Sequence, residues 1–138
     1  MYKKSIINGF KKGLDTLWKL GKIIIPVYFF VTFLHYTPIL YKLSNFFEPA
    51  MKILGLPGEA SLALVLGNFI NLFAGVGAML TLDLSSKQAT ILAIMLSFSH
   101  GQVLESAVAK KVGVSLSLVV ITRLTLAFTM GVLFNMIL

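Results

Sequence analysis

Four long runs almost free of charge constrain this chain more than any other feature: residues 23–41, 60–82, 88–104 and 112–138. The first three contain no Asp, Glu, Lys or Arg, and the fourth contains Arg123 alone. At about 1.5 Å of rise per helical residue, such runs reach or approach the roughly 30 Å of a bilayer's hydrocarbon core. The remaining composition agrees. Charged residues make up 12% of the 138, with 57% hydrophobic. A water-facing domain usually carries about 25% charged residues, so this chain lacks the polar surface to stay in solution. The expected architecture is all-α: a polytopic membrane helical bundle with broken or re-entrant helices and an amphipathic amino-terminal helix.

The sequence divides into residues 1–22 and a single membrane domain over 23–138 with about four membrane segments. In the first part Ile7, Phe10, Leu14, Leu17 and Trp18 fall on one side of a helix. Lys4, Lys11, Lys12, Asp15, Lys19 and Lys22 fall on the other. Basic residues opposite apolar and Trp side chains suit a helix lying in a headgroup layer, though a cytosolic helix packed on the bundle would show the same pattern. A cleaved leader fits poorly, because the basic stretch is long and His35-Tyr36-Thr37-Pro38 offers no small-residue cleavage site.

Interruptions mark the rest. Gly55-Leu56-Pro57-Gly58 is strong punctuation, and Glu59 follows it where an acidic residue suits the first turn of a helix. Over 60–82, Ala60, Ala63, Gly67, Asn68, Asn71, Ala74, Gly75 and Ala78 share a face that should meet protein, because small residues permit close backbone approach. The serines of 83–87 can cap the next helix. The 88–104 run carries Ser97, Ser99, His100, Gly101 and Gln102, too much polarity to face lipid, so it either breaks near Gly101 or buries that segment in protein. Arg123 needs an acidic partner or a route to the interface. If all four runs cross, the termini share a side, and the six lysines of residues 1–22 favour a cytoplasmic amino terminus in a multi-pass cell-membrane protein.

Functional candidates gather beside the interruptions. Glu59 and Glu105 each follow a helix break, the position where transporters build solute or ion sites. Asn68 and Asn71 can reach a ligand or hydrogen-bond a neighbouring helix. Histidine as a residue type titrates near neutral pH, which singles out His100, although a hydrogen bond to a serine is the more ordinary role for a lone histidine. The substrate- or ion-binding set is therefore Glu59, Asn68, Asn71, His100 and Glu105, with no catalytic residue. No phosphate loop and no metal triad is legible, which argues against an enzyme; whether a metal is bound stays open, and no cofactor is implied. The basic balance fits lipid headgroups better than a nucleic acid polymer.

Taken together, Gly55-Leu56-Pro57-Gly58-Glu59, Leu66-Gly67-Asn68 and Ser99-His100-Gly101-Gln102-Val103-Leu104-Glu105, completed by 107–113 with its two lysines, resemble the nucleoside-recognition, or Gate, family of membrane domains. The resemblance covers about residues 25–135 and extends to spore maturation proteins A and B, to the Gate regions of ferrous iron transporter B and, more distantly, to concentrative nucleoside transporters. The second motif is similar to the family's His-Asn/Ser-x-x-x-Glu pattern, with Gly101 standing where a more polar residue is expected. The resemblance implies a transporter-like or gating module for a small polar solute or ion, built from two related units: a homodimer, or a homologous Gate-domain partner. The alternative is a non-transporting membrane assembly protein connected with envelope or spore maturation.

Overall fold

A computed structural model describes residues 2–138, apart from the side chains of Tyr2, Lys3 and His35. It is all-helical: α1 Tyr2–His35, α2 Pro38–Ile53, α3 Ala60–Phe69, α4 Leu72–Met79, α5 Ser86–Ser99, α6 Gln102–Lys111 and α7 Leu116–Ile137. The chain is a polytopic membrane bundle with long apolar spans and a broken helix, α5–α6.

Among the described residues, three stretches have the length and composition to cross a bilayer: Lys4–Leu34, the bent Ser86–Lys111 and Leu116–Ile137. The amphipathic stretch and the first apolar run form one continuous helix, α1, which passes through Pro26. Its 34 residues span about 51 Å, well beyond the roughly 30 Å of hydrocarbon, so part of it must lie outside the core. Lys19 pairs with Asp15 at 2.6 Å, and the Lys22 ammonium sits 5.3 Å from the Trp18 ring centre. Ile7, Phe10, Leu14, Leu17 and Trp18 are all exposed, so none of the described residues covers that apolar face.

The 60–82 run differs from a single span. It divides at Ile70-Asn71 into α3 and α4, about 15 Å and 12 Å long and each too short to cross. The two pack against each other as a hairpin. Asn71, in extended backbone, caps α4 by accepting from the Ala74 N–H at 3.0 Å. The small-residue face closes the hairpin: a Cβ on Gly75 would stand 2.9 Å from the Gly67 Cα and 3.0 Å from the Ala63 carbonyl oxygen. Ala60, Ala63, Gly67, Ala74, Gly75 and Ala78 are buried as their spacing predicts; Leu62, on the opposite face by periodicity, is buried too.

Hydrogen bonds fix one end of the bundle. Asn135 Nδ2 donates to the Ile53 carbonyl at 3.2 Å, Gln88 Nε2 to Gly55 at 3.4 Å and Lys87 Nζ to Asn135 at 2.8 Å. The end of α2, the start of α5 and the end of α7 therefore lie together. Ser85 and Gln88 form a reciprocal capping box that starts α5. From this end α3 and α5 run inward side by side, and α7 runs antiparallel to α5, its most extensive packing partner. The core between them includes Leu54, Leu56, Ala63, Ile91, Leu92 and Met95.

Candidate functional site

Part way along the bundle α5 stops. Its C-cap, His100, takes extended backbone, and Gly101 follows at φ 62°, a left-handed conformation that glycine adopts without steric penalty. The Gly101 N–H no longer serves its own helix; it donates 2.9 Å to the Gly67 carbonyl of α3. The break in α5–α6 is thereby tied to the inner end of the α3–α4 hairpin.

Arg123 of α7 fills the break. Its Nε donates 2.9 Å to the Phe98 carbonyl and its Nη2 3.0 Å to the His100 carbonyl, two acceptors at the terminus of α5. A cation at a helix carboxyl terminus also meets the negative end of its dipole. On the other side Arg123 Nη1 forms an ion pair with Glu105, in the first turn of α6. The Arg123 side chain is 17% exposed and that of Glu105 45%. The His100 ring lies beside them: Nδ1 donates 2.8 Å to the Leu96 carbonyl, and Nε2 is 3.5 Å from Glu105 Oε1.

Two cavities flank the break. The larger, about 670 Å³, lies between α2, α3, α5, α6 and α7, and its lining is overwhelmingly apolar. Asn68, Ser99, Gln102 and Ser106 supply its polar groups. Ser99 Oγ donates to the Met95 carbonyl at 2.9 Å, and Asn68 Nδ2 to the Leu64 carbonyl at 2.7 Å. In contrast, Asn68 Oδ1, both ends of the Gln102 carboxamide and Ser106 Oγ are buried with no partner among the described residues. These residues are 8%, 6% and 2% exposed, and an unmet buried polar group costs about 1–3 kcal/mol. The second cavity, about 620 Å³, lies between α4 and α5 and includes His100 and Ser97.

The five sequence-predicted residues thus occupy different places. Asn68 lines the larger cavity. Asn71 is committed to capping α4. His100 borders the smaller cavity, and Glu105 is held by Arg123. Glu59 precedes α3, half-buried and without a side-chain capping bond. Nine residues of rise place it about 13 Å along the axis from Asn68, toward the opposite end of α3. Gln102, Ser106 and Arg123 were not in the predicted set. The signal for the first two is their i, i+4 spacing directly after Gly101, which puts both on one face. Among the described residues, no group of three or more His, Cys, Asp or Glu comes together as a metal site.

The chain is thus a membrane helical bundle with a broken helix, and Asn68, Ser99, Gln102 and Ser106 stand beside that break in an otherwise apolar cavity lining. The sequence pattern of the Gate family, described as nucleoside recognition, matches residues 17–115, and the chain belongs to that family. It is also 45% identical over 135 residues to the uncharacterized membrane protein YvoD of Bacillus subtilis (strain 168), an alignment covering 98% of this chain. The chain spans 43% of the length of that relative. No solved structure matches it significantly.

Proposed function

We propose that this domain is a transporter-like or gating module that binds a small polar solute in the larger cavity. The observation that carries the reading is that Asn68, Gln102 and Ser106, each holding a buried side-chain polar atom without a partner, line one apolar space beside a helix break. Every polar group lining that space is neutral, which favours an uncharged solute over a bare ion. Asn68 contacts the solute, with Gln102 and Ser106 added to the set. His100 and Glu105 frame the break, Asn71 caps α4, and Glu59 stands apart at the start of α3.

Two such units make the complete architecture, as a dimer or with a homologous partner; a relative more than twice as long as the aligned segment supports this. With three crossings, Lys110 and Lys111 fall on the same side as the lysines of residues 1–22. Lys42, Lys52 and Lys87 remain for the other side, so the lysine bias supports a cytoplasmic amino terminus. The lysines and Trp18 of the amphipathic part of α1 suit the headgroup region where this continuous helix leaves the hydrocarbon core.

Uptake of a panel of labelled neutral solutes and ions into liposomes bearing the reconstituted protein tests the reading. Flux of a neutral solute that drops at least tenfold in Gln102→Leu, with folding intact, is expected. Flux unchanged from the parent in both Gln102→Leu and Asn68→Leu would refute the cavity assignment. An absence of flux and of binding across the panel, with a stable assembled complex, would favour the assembly role.

A further inference from the structure

We infer that Arg123 is a positioning residue: it sets the angle between α5 and α6 and so determines whether Gln102 and Ser106 face the cavity. Its functional consequence rests on the solute-binding reading above; the mechanical claim does not. The break deprives the α5 terminus of helical N–H partners for the Phe98 and His100 carbonyls, and Arg123 supplies both. The same planar group pairs with Glu105 on α6. One side chain therefore joins both half-helices and anchors them to α7. A guanidinium can do this because its donors point in fixed, separate directions, whereas an ammonium is a single point of charge.

The break is built to move. Gly101 is in the left-handed region, and a side chain there would meet nothing closer than Glu105 Oε1 at 3.7 Å. Only Gln102 and Ser106 are buried along α6, while Val103, Leu104 and Val108 are exposed. Rotation about Gly101 would separate Arg123 from either the α5 carbonyls or Glu105. It would also carry Gln102 and Ser106, on the α6 side of the cavity, away from Asn68 on α3.

The chain contains no cysteine, so introduced labels report only their own positions. Spin labels at Ala93 and Val108, exposed sites on α5 and α6, give the hinge distance by pulsed electron paramagnetic resonance in lipid nanodiscs. Labels at Ala93 and Leu126 report the α5–α7 packing as a control. The native background should give one narrow hinge distribution. Arg123→Gln should broaden it at least twofold or add a second distance, with the control pair unmoved. Arg123→Lys, which keeps the charge, should broaden it less; it carries the test if Arg123→Gln does not fold. The double exchange Arg123→Glu with Glu105→Arg should not restore the native distribution, because a carboxylate at 123 would face two carbonyls. An unchanged hinge in Arg123→Lys and Arg123→Gln would overturn the inference, as would full restoration by the exchange. No solute enters this measurement, so its outcome is separate from that of the flux assay.

Discussion

Two helix breaks meet at the middle of this bundle and are closed by opposite chemistry. At Ile70-Asn71 the chain turns back, and the α3–α4 hairpin is sealed by backbone lying against backbone at Gly67 and Gly75. At His100-Gly101 it continues at an angle, and the opening is bridged by a guanidinium, two carbonyls and a carboxylate. Close packing tolerates little displacement, because interiors near crystal density respond to a single added methylene. Polar bonds can be exchanged for other polar bonds. The first break therefore serves as a fixed reference, and the second as the adjustable part. The Gly101 N–H to Gly67 bond joins the two.

The comparison breaks most directly at Gly75. Leucine there would be driven into the Gly67 Cα and the Ala63 carbonyl, neither of which can swing aside as a side chain can. The expected loss is about 3 kcal/mol, at the upper end for overpacking. Reversible unfolding in bicelles should show it, and a stability equal to the parent would mean the hairpin is not sealed at this contact. Gly101→Val comes next. A β-branched residue at φ 62° should cost about 2 kcal/mol, whereas Gly101→Asn, which tolerates that region, should cost well under half as much. Equal losses in the two variants would show that space, and not backbone conformation, governs this break.

These two glycines also mark how much was legible. Gly101 was readable as an interruption because polar residues surround it, and Gly55-Leu56-Pro57-Gly58 because proline and glycine punctuate any helix. The membrane class and the small-residue face of 60–82 were readable from composition and period. The turn at Asn71 was not: the run around it contains neither proline nor charge, and an asparagine in an apolar run can be a cap, a ligand or a helix-pairing residue. Reading Asn68 and Asn71 as equivalents missed that one lines a cavity while the other closes a helix end. The pairing of Arg123 with Glu105 lay beyond periodicity, because it depends on how α7 docks against a break in another helix. Gln102 was legible only as one of several polar residues near Gly101 and Ser106 not at all, because what distinguishes them is a buried polar atom without a partner, which depends on tertiary packing.

Asn71 supplies a smaller test of the fixed side. Asn71→Ala removes the bond to the Ala74 N–H and should lower stability by about 1 kcal/mol, with Asn71→Ser recovering most of it. Bicelle unfolding midpoints for the two variants measure this; a loss that serine does not recover would point to a role for the amide beyond the cap.

The smallest effect is expected at Lys52 and Glu48 of α2, and it isolates what charge alone contributes. Their side chains pair at 2.8 Å in i, i+4 spacing but are 72% and 44% exposed. Solvent screens such a pair, and holding two long side chains together costs entropy, so Lys52→Gln should change stability by less than about 0.5 kcal/mol. Glu105 is about as exposed as Glu48. If Arg123 acted only as the partner of that carboxylate, Arg123→Gln and Lys52→Gln would have similarly small effects on stability. The two carbonyls that Arg123 also serves at the end of α5 should make its replacement clearly the more damaging, measured by unfolding side by side in the same bicelles. Matching losses would reduce the clasp to an ordinary ion pair and remove the distinction between an adjustable break and a fixed one.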